Sequence, residues 1–270
     1  MIAGATRYGR MLGGLARYTL AREMAFRGNF LVKVSVELLW MGIMIAFYRT
    51  VFGKTSSIAG WSEPDYFFFV GCFFALNGVI ETLFLENCNE FAELVRTGDL
   101  DFLLLKPIDE QFLISCRRID WGTAPNLVMG AVLMAVALVQ KGWEFDPTRV
   151  AAFFATFACG VAIAYSFMMI LTSVSVWMVR NQSLMEMWWL FSSLARYPRE
   201  IFAGRGAEPL GKFFTFVIPI LLVSNVPANV MVRVLDPRMV AWTAAVAVAS
   251  LWVSRRFFQV ALRSYRSASS

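Results

Sequence analysis

The sequence predicts an all-α polytopic membrane protein built as one domain over residues 1–270. It would hold six transmembrane helices, an N-terminal interfacial helix and a re-entrant outer hairpin. Three observations carry this reading. Residues 121–140 and 150–179 are runs of 20 and 30 residues without a charge. About 20 helical residues, at about 1.5 Å each, cross a hydrocarbon core of about 30 Å. Composition agrees, with 58% hydrophobic and 16% charged residues, where soluble domains hold about 45–50% and about 25%. Finally, the apolar runs do not alternate, which removes a β-barrel and leaves helices as the only backbone able to bond internally in lipid.

Taken in order, residues 8–28 mix Arg10, Arg17, Arg22 and Arg27 with Leu12, Leu15, Leu20 and Met24. They read as a basic amphipathic helix lying on the membrane surface. The first span covers about 30–52 and carries Lys33 and Glu37 one turn apart, a spacing that allows a pair. The second, about 66–85, carries Asn77 and Glu81. The third and fourth are the two uncharged runs. A weaker apolar segment at 181–197 is the fifth, and 239–258 the sixth. Between them, Pro219 and Pro227 interrupt 213–232 with Ser224 and Asn225 in the middle, which suits a hairpin that dips in and returns. Seven crossings would put Arg255, Arg256, Arg263 and Arg266 opposite the N-terminal arginines, against the positive-inside tendency. Six crossings keep both termini cytoplasmic, although Arg196, Arg199, Arg205, Lys212, Arg233 and Arg238 then lie outside.

Composition also narrows the chemistry. The net charge is +6, but the basic residues are scattered singly between apolar runs without a basic block, so nucleic acid is not an expected partner. There is no histidine, and Cys72, Cys88, Cys116 and Cys159 form no CxxC pair. Zinc sites, histidine acid–base catalysis and Ser-His triads lack their material, and the cysteines read as small apolar fillers. Neither a metal site nor catalytic residues are expected. Gly53-Lys54-Thr55-Ser56 resembles the end of a phosphate-binding loop, yet position 48 is Tyr48 where that loop needs glycine, and the stretch leaves a span. It reads as an outer turn.

The loop between spans two and three, about 87–110, carries NCNEFAELVRTGDLDFLLLKP. Asn87 can cap a short helix with Glu90 at its third position, presenting Phe91, Leu94 and Val95, and Gly98 is its natural stop. Asp99 can cap a second short helix ending before Pro107. The stretch FAELVRTGDLDFLLLKP, together with RYPREIF at 196–202 and FFTFVIPILLVSNVPA at 213–228, resembles the ABC-2 type permease family. With the six-span layout and the basic N-terminal helix, the likeness covers nearly the whole chain. It implies a multi-pass membrane subunit of an ATP-binding cassette exporter in a prokaryotic inner membrane. Such a subunit pairs with a second permease, paralogous or identical, and works with two copies of a separate ATPase that binds ATP and Mg. No cofactor is then expected on this chain, and the chain itself is not an enzyme.

The resemblance also implies roles for residues. ATPase coupling would fall on Phe91, Glu93, Leu94, Arg96, Thr97, Gly98, Asp99, Leu100 and Asp101. The outer region, about 198–232 with Pro198, Pro219, Asn225 and Pro227, would close the exit. Glu37, Asn77 and Glu81 are candidates to line the translocation path, because ionisable groups in spans should face protein or water. The alternative is a Lys33–Glu37 pair at the headgroups and a Glu81 satisfied by Asn77 or a neighbouring helix. An ATP-independent secondary transporter or channel subunit would use the same spans, and it predicts an inverted repeat that the sequence does not display.

Overall fold

The computed structural model describes residues 2–178, 182–204 and 206–265, so Arg205 and Arg266 lie outside the described residues. Its regular structure is helical. A helix α1 (Ile2–Ala25) leads into α2 (Arg27–Phe52), then α3 (Glu63–Ile80), which passes through a π-helical segment, Glu81–Leu85, into α4 (Glu86–Thr97). Two short helices follow, α5 (Leu100–Leu104) and α6 (Glu110–Cys116). Next come α7 (Ala124–Lys141), α8 (Pro147–Val174) and α9 (Gln182–Leu194). A 3₁₀ turn at Arg199–Ala203 precedes α10 (Glu208–Phe216), α11 (Ile220–Val232) and α12 (Pro237–Ser264).

Among the described residues, five helices are long and apolar enough to cross a bilayer: α2, the continuous α3–α4 rod, α7, α8 and α12. The chain is therefore a multi-pass membrane protein. Helices α10 and α11 pass the same test only as a pair, and they are bent by 89°. The segment expected as a fifth span, 181–197, is a helix of 13 residues, about 20 Å long. That is short of the hydrocarbon thickness. The outer hairpin breaks once, around Pro219, which caps α11. Pro227 sits inside α11 without ending it. Asn225 just before it is tied to the 3₁₀ region, accepting from the Arg199 amide at 2.7 Å and donating to the Tyr197 carbonyl.

The core is built around α3, whose residues from Asp65 to Leu76 are all buried. α3 packs on α7 so closely that Gly130 of α7 lies against the backbone of Gly71 and Ala75. In lipid, helix association relies on such van der Waals contact between small residues. α11 fills the other side, with Ser224 donating to the Ala195 carbonyl at 2.5 Å. Outward-facing Val32, Val36, Leu39, Ile43 and Phe47 of α2 are at least half exposed, as a lipid or subunit boundary requires.

Polar contacts define the two ends of the bundle. At one, Lys141 pairs with Asp65 and donates to the Val232 carbonyl, Trp143 donates to the Met231 carbonyl, and Arg233 pairs with Glu200 while stacking on Trp61 at 4.8 Å. At the other, α1 is strapped across the loops around α6. Tyr8 accepts from the Asp109 amide and packs edge-on against Phe112, and Trp121 donates from its indole to the Ala16 carbonyl. Arg255 of α12 holds Asp109 through two bonds, at 3.0 and 2.5 Å.

Glu23 of α1 accepts from the Trp121 amide through Oε1, while its buried Oε2 has no partner. Burial pushes its carboxyl above the usual carboxylate range, and the nearby Asp120 adds to this. A raised carboxyl favours the fold most below the unfolded carboxylate range, and that advantage is lost as pH rises and the unfolded chain ionises first. Glu23→Gln, which can keep the Trp121 bond, is expected to raise the melting temperature at pH 8 and leave it unchanged at pH 4. Equal effects at both values would remove the ionisation argument.

Candidate functional site

The end of the bundle that carries α4 and α5 differs from the sequence expectation in one instructive way. Asn87 caps nothing: α3, the π segment and α4 form one helix of 35 residues, Glu63–Thr97. Neither Pro nor Gly occurs between Gly78 and Gly98, so nothing stops the helix at the membrane surface. At about 1.5 Å per residue it is about 52 Å long, well beyond the hydrocarbon core. Gly98 ends it as expected, with φ +80°, a left-handed conformation that side chains disfavour.

The π segment frees backbone acceptors, and the loop before α7 takes them. The Asp120 amide donates to the Thr82 carbonyl at 2.9 Å, and the Thr82 and Thr123 hydroxyls lie 3.2 Å apart. Asn87, instead of capping, clamps this loop by accepting from the Arg118 amide and donating to the Arg118 carbonyl. Glu90 pairs with both Arg117 and Arg118. Any movement of α4 must carry this loop and the start of α7.

Residues assigned to ATPase coupling divide into two sets. Phe91 and Leu100 are fully buried, in a cluster with Ile114, Met169 of α8 and Phe258 of α12. Glu93, Arg96, Thr97 and Asp99 are exposed, Leu94 and Asp101 are half-buried, and Gly98 is buried. Glu93 and Arg96 pair with each other, and Asp99 accepts from the Thr97 hydroxyl at 2.8 Å rather than capping α5. The apolar surface that does face water lies one step further on: Phe102 is 69% and Leu105 81% exposed. The helical register of LDFLLL explains the split. Leu100 and Leu103 share the buried face, and Phe102 and Leu105, three apart, share the other.

Near the inner end of the bundle, Glu37, Asn77 and Glu81 do come together. They line a cavity of about 90 Å³ with Trp40, Asn126 and Arg196 among its walls. Lys33 is drawn away from Glu37 and pairs with Asp120 at 3.0 Å, because its long stem reaches toward the interface, where the π segment holds Asp120. Asn77 turns back to the Phe73 carbonyl. Glu81 is met from a neighbouring helix: Asn126 donates from one Nδ2 to Glu37 at 2.9 Å and to Glu81 at 3.1 Å. Asn126 escaped sequence reasoning, since it lies in an uncharged run. Its signal was being an amide near the start of that run, whose other amide, Gln140, stands at the far end.

At the outer end, Pro198 precedes the 3₁₀ turn, and Asn225 with Arg199, Glu200 and Arg233 lines a second cavity of about 250 Å³ over α11. Pro219 and Pro227 shape α11 rather than line this cavity. The four cysteines are free, and Cys72, Cys88 and Cys116 are buried.

Comparison with protein families finds a match to the model described as ABC-2 family transporter protein, over residues 38–269. The match covers the 35-residue rod and the α10–α11 hairpin, and all of the Glu81 cavity's named residues except Glu37, which lies one position before it. Curated proteins and solved structures give no match.

Proposed function

The chain belongs to the ABC-2 family of transporter proteins, and from that premise we propose that it is the membrane-spanning permease subunit of an ATP-binding cassette exporter. It pairs with a second permease, paralogous or identical, and is driven by two copies of a separate ATPase that binds ATP and Mg. The protein resides in a prokaryotic inner membrane.

The observation that carries the proposal is the 35-residue rod. It is continuous from the outer end of the bundle to a cytosolic tip at Thr97, and α5 beyond Gly98 is held to it by the buried cluster of Phe91 and Leu100, so force applied there reaches the membrane helices. Phe91 and Leu100 link that tip to α8 and α12. The ATPase contact falls on Phe102 and Leu105 beside the exposed Glu93, Arg96, Thr97 and Asp99. ATPase closure then shifts the rod between two packings that the bundle already permits.

The ends of the elements support six crossings. α8 ends at the cytosolic cluster through Met169, whereas Glu200 lies at the outer end with Trp61 and Arg233. One crossing must occur between them, by α9 and the turn that follows. α10 and α11 then return to the outer end at Val232, and α12 runs inward to Arg255, which leaves both termini cytoplasmic. The outer hairpin, with Pro198, Pro219, Asn225 and Pro227, closes the exit.

The test is reconstitution of the full chain with an ATP-binding cassette ATPase encoded beside it. The complex is expected to hydrolyse ATP several-fold faster than the ATPase alone. An unchanged rate, with transport proceeding in the absence of ATP, would favour the ATP-independent secondary transporter or channel instead.

A further inference from the structure

The inner cavity places two carboxylates on a single amide donor. Asn126 spends its Nδ2 on both Glu37 and Glu81, at 2.9 and 3.1 Å. Its side chain is 96% buried by the 4% exposure of the residue, and its Oδ1 has no hydrogen-bond partner. Leaving a buried carbonyl oxygen unpaired is costly. Four carboxylate oxygens and this amide oxygen make an acceptor-rich wall that shares the Asn126 amide donor, with the Arg196 guanidinium elsewhere on the cavity lining.

Charge is unbalanced in the same sense. Among the described residues, neither Glu37 nor Glu81 forms an ion pair, and the cation expected for Glu37, Lys33, is held by Asp120. Asn126 sits in the first turn of α7, whose N-terminal end offers only about half an elementary charge. A π segment begins at Glu81 itself, an irregularity that often marks functional positions in helices. The missing partner is a cation that donates several hydrogen bonds.

The far end of the cavity sets a second condition. The Arg196 guanidinium lies over the rings of Trp40 at 5.9 Å and Phe73 at 5.6 Å. Phe73 is eight residues, about 12 Å along the helix, from Glu81. A ligand reaching from the carboxylates along these aromatic rings meets a positive charge at its other end.

We infer that the Glu37–Glu81–Asn126 wall receives the ammonium end of an amphipathic amine with a single positive charge, and that this is the class of molecule the permease carries. The inference rests on the permease reading. The ammonium donates to the two carboxylates and to Asn126 Oδ1, and the apolar body lies along Trp40 and Phe73. Arg196 rejects a second cationic end.

The test uses the full chain in lipid nanodiscs and saturation-transfer NMR, with empty nanodiscs subtracted. Hexylammonium is expected to bind saturably, and the dication of 1,6-diaminohexane and the hexanoate anion are expected not to. Glu81→Gln and Glu37→Gln, each checked for a single size-exclusion peak, are expected to weaken hexylammonium by about tenfold or more, as loss of a charged hydrogen bond implies. Equal binding of the mono- and diamine by the unmodified protein, no hexylammonium binding, or full binding by both variants would overturn the assignment. ATPase stimulation measured on the same preparations separates the two readings. If stimulation persists while the amine preference is absent, the cargo assignment fails and the permease assignment stands.

Discussion

Replacing Phe102 and Leu105 together by aspartate is expected to abolish co-purification of the ATPase and its stimulation by the permease, while the membrane bundle stays folded. The two side chains are the large apolar groups most exposed on α5 and its end, at 69% and 81%. Fully burying one such side chain against a partner contributes about 1.5–3 kcal/mol, so losing two, with two desolvated charges added, should weaken the complex by well over tenfold. Leu100→Asp provides the contrast. Leu100 is fully buried with Phe91, Ile114, Met169 and Phe258, so a charge there should reduce expression and melting temperature along with coupling. Size-exclusion profiles and ATPase pull-down on both variants distinguish the contact from the lever. Retained stimulation by the Phe102/Leu105 double variant would place the ATPase elsewhere.

The second large effect is expected from a single methyl group. A Cβ at position 130 would lie 2.6 Å from the Ala75 amide nitrogen and 2.6 Å from the Gly71 carbonyl oxygen. Both are backbone atoms of a buried helix, so neither can swing aside and α3 and α7 must separate. Overpacking of this kind costs about 1–3 kcal/mol, and here it falls where two helix backbones meet in the core. Gly130→Ala should therefore lower the melting temperature clearly and weaken the grip of the π segment on the loop before α7. Gly42→Ala is the control. Nothing lies within 4 Å of the position its Cβ would take, and removing a helix-interior glycine should be neutral or slightly stabilising. Indistinguishable melting curves for the two variants would contradict the close α3–α7 packing.

Legibility in the sequence followed the range of the forces involved. The five long apolar helices, the stop at Gly98 and the bend near Pro219 depend on local apolar runs and on backbone chemistry of single residues. All were visible. The extent of the second span was not, because Asn87 with Glu90 has the pattern of a capping box, and only the tertiary partner Arg118 diverts that asparagine from capping. Phe91 and Leu100 similarly looked like docking residues until α8 and α12 were seen to cover them.

What the sequence by itself determined is that this chain must be a helical membrane protein, since hydrophobic length needs no neighbours to be decisive. The tertiary structure alone decided which charges find partners. Lys33 meets Asp120 across 87 positions, Asn126 joins Glu37 to Glu81, and the apolar tip of the rod is reduced to Phe102 and Leu105. Each outcome depends on helices distant in sequence being brought to one level of the bilayer. Hydrogen-bond and packing energies fall off within a few ångströms, so only the assembled bundle could settle them.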